Sequence, residues 1–148
     1  MKKIITLSLA IMLFAACKSA APEIGGVGTF DILHQETNGG RVKAGNEVIK
    51  SQDKLNALYA ELNITDVPAV DFETNNVVAL FMGQQRTGGY SISVSGVTLS
   101  EDTARVQIIE TAPQDMATLA LTEPYCIAKI SRSKKVEFMR SASTPAAE

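Results

Sequence analysis

Residues 77–95 read VVALFMGQQRTGGYSISVS, and this stretch decides the fold. Its beginning, residues 77–82, is apolar without a break, which predicts a central strand covered on both faces. From Tyr90 to Ser95, apolar and serine residues alternate, a pattern typical of a half-exposed antiparallel strand. These two strands make β-structure the dominant element of the prediction.

Further strand patterns lie on both sides of this stretch. The predicted strands are 29–35, 41–50, 77–82, 90–95, 104–108, 125–130 and 136–139. Because residues 104–108 alternate after a turn at Glu101-Asp102, we expect them to pair with residues 90–95. The last two strands are expected to form a hairpin across residues 131–135. Residues 114–121 are expected to form a short helix or a loop.

One helix is predicted, over about residues 51–62. Ser51 is a natural N-cap residue. Apolar residues then recur at helical spacing, at Leu55, Leu58, Tyr59 and Leu62. The predicted fold class is therefore α+β to all-β: an antiparallel sheet or a small β-sandwich with one packed helix.

The first 16 residues have the pattern of a signal peptide. Lys2 and Lys3 precede an apolar stretch, residues 4–16. This stretch is shorter than the roughly 20 apolar residues that a membrane-spanning helix needs, and Lys18 follows closely. We therefore expect a cleaved export signal rather than a permanent membrane helix.

The residues around the expected cleavage site indicate a lipid anchor. Residues 13–17 read Leu-Phe-Ala-Ala-Cys, which resembles the lipobox of bacterial lipoproteins. The resemblance implies that Cys17 becomes the lipidated first residue, anchored in the bacterial cell envelope, and Lys18 favours the outer membrane. The alternative is an ordinary secretory signal with a chance cysteine. We then expect residues 17–28 to be a lipidated cysteine and a flexible tether. Residues 29–140 are expected to form the folded domain, and residues 141–148 a disordered tail.

Composition excludes several classes of function. Without residues 1–16, 12 basic residues remain (14 minus two lysines) against 16 acidic ones, so nucleic acid is not an expected partner. His34 is the single histidine, and no nucleophile signature accompanies it, so we expect no enzyme activity. One histidine and the remaining Cys126 do not make a zinc site, and no metal or cofactor is expected.

The link between the two central strands, residues 83–90, is the most unusual segment. Gly88 and Gly89 allow a sharp turn, and the glutamine, arginine and threonine before them are expected to project from a rigid hairpin. One interpretation is a recognition loop on a stiff scaffold. The other is a plain hairpin connection whose glycines only satisfy turn geometry. The residues alone favour neither.

Residues 81–94 resemble the signature of the PrcB C-terminal domain family. Residues 110–113 (Glu-Thr-Ala-Pro) and 121–125 (Leu-Thr-Glu-Pro-Tyr) follow in the order of that family, and the resemblance spans about residues 76–139. The family commonly has a proline where this chain has Gln85-Arg86. The resemblance implies a non-catalytic lipoprotein subunit that associates with and stabilises a surface protease complex. Residues 87–90 are also similar to the inhibitory loop of chagasin-type cysteine-protease inhibitors.

The leading hypothesis is a lipid-anchored module that binds another envelope or surface protein, such as a protease. Arg86 and Thr87 would make polar contacts, and Tyr90 would anchor the base of the loop. The predicted contact residues are Gln84, Gln85, Arg86, Thr87, Gly88, Gly89 and Tyr90, supported by Pro124 and Tyr125. The alternatives are a protease inhibitor that uses the 84–90 loop and a structural envelope lipoprotein.

Overall fold

The structure, a computed structural model, describes residues 25–113 and 118–142. In chain order its elements are β1 (Gly26–Val27), β2 (Phe30–Glu36), β3 (Gly45–Ile49), α1 (Gln52–Glu61), β4 (Asn75–Phe81), β5 (Ser91–Ser100), β6 (Thr103–Thr111), β7 (Tyr125–Ser131) and β8 (Lys135–Ala142). The predicted signal peptide, Cys17 and residues 143–148 lie outside the described residues.

The strands form two four-stranded sheets. Sheet A has the order β1-β5-β6-β8, and sheet B has the order β2-β7-β4-β3. All neighbouring strands are antiparallel except β6 and β8, which are parallel. Over the residues that the structure describes, the protein is therefore a small, mostly antiparallel β-sandwich with one helix, as the sequence predicts.

Sheet B is the middle of three layers because its central strands β4 and β7 are apolar on both faces. Val78 and Leu80 face sheet A, where they pack with Val106 and Ile108. The residues between them face the other way, so Val77, Ala79 and Phe81 pack against the layer that contains α1. An unbroken apolar strand is the expected sequence for this doubly covered position.

Helix α1 begins where the sequence predicts. The Ser51 Oγ accepts a hydrogen bond from the Lys54 backbone N–H at 3.4 Å, which satisfies a donor at the helix start. Leu55, Leu58 and Tyr59 are buried against sheet B. Within residues 25–113 and 118–142, no helix is long and apolar enough to cross a membrane.

The predicted hairpin of residues 125–130 and 136–139 is wrong. β7 pairs with β2 and β4 in sheet B, whereas β8 pairs with β6 in sheet A. Because β7 already has a neighbour on each side, no edge is left for β8, and the chain crosses to the other sheet. In sheet A, Val136 and Phe138 pack against the core between the sheets.

Two boundaries also differ from the sequence prediction. Gly26 and Val27, assigned to the tether, pair with Leu99 and Thr98 as β1. β8 continues to Ala142, inside the predicted tail. Ladder hydrogen bonds come from the backbone, so residues with small or exposed side chains can extend a sheet without adding to its core. Of the segment predicted as a short helix or loop, residues 114–117 lie outside the described residues.

Candidate functional site

The predicted contact loop, residues 83–90, links the two sheets. It leaves β4 in sheet B and enters β5 in sheet A, so these strands are not hydrogen-bonded neighbours. The expectation of a hairpin connection is therefore wrong. The reason lies in β4, whose two neighbours are already β3 and β7. A loop that spans two sheets at the end of a sandwich is open to other molecules.

Backbone hydrogen bonds hold the first half of the loop between two other segments. The Gln84 N–H donates to the Val42 carbonyl at 2.9 Å. On the other side, Gln85 and Thr122 exchange two backbone hydrogen bonds, at 2.7 and 3.0 Å. The Met82 N–H donates to the Pro124 carbonyl at 3.0 Å. Residues 82–85 therefore continue the pairing of sheet B beyond the end of β4.

Residues 118–122 hold the second half of the loop. The Gly88 N–H donates to the Thr118 carbonyl at 3.0 Å, and the Thr122 hydroxyl donates to the Thr87 carbonyl at 2.9 Å. Both halves of the loop are thus fixed through their backbone. The side chains that project from such a loop lose little freedom when a partner binds, which favours recognition.

The side chains of the loop divide into exposed and internal ones. Arg86 is exposed and makes no ion pair with the described residues. The Gln84 amide Nε2 donates to Glu123 Oε1 at 2.8 Å. Gln85 is half-buried, and its Nε2 lies 3.4 Å from the carbonyls of Met82 and Gly83. Arg86 is therefore a charged side chain of the loop that remains accessible to solvent.

Gly88 and Gly89 are needed for different reasons. Gly89 has φ +86°, and a Cβ there would lie 2.8 Å from Pro113 Cβ. At Gly88 no positive φ is involved, but a Cβ would lie 2.5 Å from the Thr118 Oγ1. The sequence predicts glycine-dependent turning at both positions. The structure assigns the left-handed backbone to Gly89 and the close approach to Gly88.

Pro124 and Tyr125 lie beneath the loop, next to its base. Both are buried. The Tyr125 ring stacks on His34, with ring centroids 5.7 Å apart, and lies 6.3 Å from the Phe81 ring. These aromatic contacts fix the strand ends from which the loop starts. Their supporting role in partner binding stays a prediction from the sequence.

Arg41 is a positioning residue that the sequence does not reveal. Its guanidinium donates to both carboxylate oxygens of Glu61 at 2.7 and 2.8 Å and to Glu47 at 3.1 Å. The guanidinium carbon lies 4.4 Å from the Phe81 ring centroid. The hydrogen bonds to Glu61 raise the pKa of Arg41, and they lower the pKa of Glu61. Arg41 thereby ties the segment before β3, including Val42, to α1 and β3.

Three exposed aliphatic side chains surround the loop. Val42 is 69% exposed, Leu119 is 95% exposed and Leu121 is 60% exposed. Backbone hydrogen bonds place their segments next to the loop, at Gln84, Gly88 and Gln85. We call residues 84–90 with these three side chains the loop-end surface. The loop-end surface is therefore the candidate contact surface among the described residues.

His34 and Cys126 lie on opposite faces of sheet B. His34 contacts Tyr59 and Tyr125 on the helix side of sheet B. Cys126 is buried on the opposite face, between the sheets, and burial raises the pKa of its thiol. No group of three or more His, Cys, Asp or Glu residues within the described ranges could hold a metal ion.

Comparison with protein-family models gives one match to report. Residues 76–131 match the model described as PrcB C-terminal. The matched segment begins in β4, contains the whole 83–90 loop and ends with β7. The comparisons found no matching curated protein and no matching solved structure. Residues 76–131 of this chain are thus similar to the PrcB C-terminal family, and the resemblance inferred from its motifs is confirmed.

Proposed function

We propose that this protein is a non-catalytic, lipid-anchored module of the bacterial envelope whose loop-end surface binds another protein. The observation that carries the proposal is the backbone-fixed loop with three exposed aliphatic side chains around it. The PrcB C-terminal match includes that loop and supports a subunit of a protease complex as the specific role. Cys17 would carry the lipid, with the outer membrane as its location.

The surface suits a protein partner because it combines apolar and charged groups. Leu121 and Val42 flank the Gln84–Gln85 segment, and each would lose contact with water in a complex. The exposed Arg86 would then select a partner that carries an acidic or carbonyl group beside an apolar patch. Arginine is among the residues that contribute most to binding at interfaces.

A protease inhibitor that uses the same loop is the second candidate. The rigid backbone of residues 84–88 favours it, because a loop that enters an active-site cleft must resist deformation. Adding the purified protein to the protease with which it associates separates the two roles. Loss of peptide cleavage in proportion to the added protein supports inhibition, and unchanged or longer-lived activity supports a stabilising subunit.

Affinity purification of the tagged full-length protein from gently solubilised membranes tests the proposal. We expect a stoichiometric partner, identified by mass spectrometry, that is lost with Gly88→Val because the new side chain collides with Thr118. Gly45→Val is the matched control, since a Cβ at Gly45 meets nothing within 4 Å. Partner capture that survives Gly88→Val in a folded protein would contradict the proposed surface.

A further inference from the structure

The chain enters the sandwich at the end opposite the loop. β1 pairs with Thr98 and Leu99, and a Cβ on Gly25 would lie 2.8 Å from the Leu99 carbonyl oxygen. The ten residues of β5 extend about 30 Å from their start beside Tyr90 to Ser100. We call the end formed by residues 100–103 and 131–135 the entry end.

A cavity of about 420 Å³ lies at the entry end. Its volume falls within the range of small-molecule sites. Charged groups of both signs and one buried amide line it: Lys50, Asn76, Glu101, Asp102, Arg132 and Lys134. This lining carries charges of both signs, whereas the loop-end surface combines aliphatic side chains with Arg86.

The walls of the cavity are held in place by hydrogen bonds. Asn76 is 2% exposed, and its Nδ2 donates to the Ser133 carbonyl at 2.9 Å. The Lys135 N–H donates to the Asp102 carbonyl at 3.0 Å. The Lys50 Nζ donates to the Lys134 carbonyl at 3.0 Å. Residues 131–135 are therefore ordered before a ligand binds, which lowers the entropic cost of binding.

Among the charged residues that line the cavity, Lys50 and Glu101 have no ion-pair partner among the described residues. Lys134 pairs with Asp102, and Arg132 pairs with Glu73, which stands outside the lining. Lys50 donates only to a neutral carbonyl, and Glu101 makes no ion pair with the described residues. A ligand with one anionic and one cationic group is complementary to this arrangement.

We propose that this cavity binds the phosphoethanolamine group of a membrane phospholipid. The phosphate would contact Lys50 and the free guanidinium nitrogens of Arg132, and the ammonium group would contact Glu101. The inference rests on the proposed anchoring at Cys17. The eight peptide links from Cys17 to Gly25 reach at most about 28 Å, which keeps the entry end close to the headgroups. Headgroup binding would hold the loop-end surface away from the membrane.

Titration of the full-length protein in a detergent without phosphate tests the cavity directly. We expect O-phosphoethanolamine to shift the backbone amide resonances of residues 101–102 and 131–135. The double variant Lys50→Gln, Glu101→Gln should weaken binding at least tenfold, whereas Lys43→Gln at the loop end should leave it unchanged. Absence of these shifts, or equal binding of inorganic phosphate alone, would overturn the zwitterionic site.

A second experiment tests the membrane as the source of the ligand. The protein is reconstituted in phosphatidylethanolamine-containing vesicles with a bilayer-embedded quencher. A fluorophore is placed at Lys135→Cys, at the entry end, or at Thr37→Cys, which follows β2 at the loop end. Cys126 is fully buried and should stay unlabelled. We expect at least twofold stronger quenching at position 135, and a smaller difference with Lys50→Gln. Equal quenching at both positions would overturn the orientation. Partner capture by Gly88→Val tests the proposed function independently. A failure of headgroup binding is thereby distinguished from a failure of the proposed function.

Discussion

The two glycines of the loop show how far sequence can assign roles at single positions. Adjacent glycines predict a turn, but the sequence does not say which of them adopts positive φ. That depends on Pro113 and Thr118, which are distant in the chain and are brought to the loop by the fold. The structure therefore gives Gly88 and Gly89 different sensitivities to substitution.

We predict that Gly89→Ala destabilises the protein. The left-handed backbone at φ +86° disfavours a side chain, and Pro113 would be crowded by the new Cβ. The expected loss is about 1–2 kcal/mol in the free energy of unfolding, measured by denaturant titration. Gly45→Ala is the control, because its Cβ meets no atom within 4 Å. Equal losses for both variants would contradict this assignment.

Tyr59 has a buried hydroxyl without a partner among the described residues. Burial raises the pKa of Tyr59 to about 12, whereas an unfolded chain releases this proton near pH 10. The folded-state pKa is the higher one, so the ionisation of Tyr59 does not change the stability at pH values well below 10. The free energy of unfolding then falls as the pH rises from 10 to 12. Stability decreases between pH 10 and pH 12 because only the unfolded chain releases the Tyr59 proton in this range.

We predict that Tyr59→Phe stabilises the protein at neutral pH by up to about 1 kcal/mol, because no unsatisfied hydroxyl remains buried. The difference in the free energy of unfolding between Tyr59→Phe and the unmodified protein should increase by about 2 kcal/mol between pH 10 and pH 12. Urea unfolding at a series of pH values measures both effects. Stability curves that stay parallel in the alkaline range would rule out the proposed role of this hydroxyl.

At the level of elements, local pairing was predictable and long-range pairing was not. The alternation in residues 90–95 and 104–108 correctly predicts the β5–β6 pair. The hairpin of β7 and β8 is wrong although the two strands are consecutive. The apolar sequence from Tyr125 to Ala128 fills both faces of β7, which indicates a central strand with two neighbours. Which strands become those neighbours depends on contacts across the whole chain.

Arg41 couples three elements, and we predict a local effect when it is replaced. Arg41→Met should speed amide hydrogen exchange at Gly40 and Gln84 severalfold, because the segment before β3 loses its link to Glu61. The loss in global stability should stay below about 1 kcal/mol, since these ion pairs are partly exposed.

The matched control for this variant is Arg105→Met. Arg105 pairs with Glu137 on sheet A, away from the loop. We expect unchanged exchange at Gly40 and Gln84 in this control. Similar exchange in both variants would show that Arg41 does not position the loop.

At the level of the whole molecule, the sandwich presents residues from three distant parts of the chain on one surface. The loop residues 84–90 stand out in the sequence by their glycines and polar side chains, and their binding role stays a prediction. Val42, Leu119 and Leu121 were not, because single exposed aliphatic residues resemble core residues in a sequence. Their significance appears only when the backbone pairing at Gln84 and Gln85 brings them together.

We predict that Leu119→Ser with Leu121→Ser weakens partner capture at least tenfold without lowering the melting temperature. Both side chains are exposed, so their removal leaves the core intact, while a complex would lose buried apolar area. Co-purification and thermal unfolding measure the two effects. Met139→Ser, at a 53% exposed position on β8, is the control. Undiminished capture by the double variant would place the partner elsewhere.

The parallel pairing of β8 with β6 has a consequence for the order in which the protein can fold. The two edges of sheet A come from opposite ends of the domain, β1 and β8. A chain that emerges amino terminus first therefore leaves the edge of β6 unpaired until its last strand arrives. An unpaired edge with Val106 and Ile108 beside it invites association with other chains. Loss of the 14 residues from Lys135 onward, which include all of β8, would thus be expected to expose this edge and to promote aggregation.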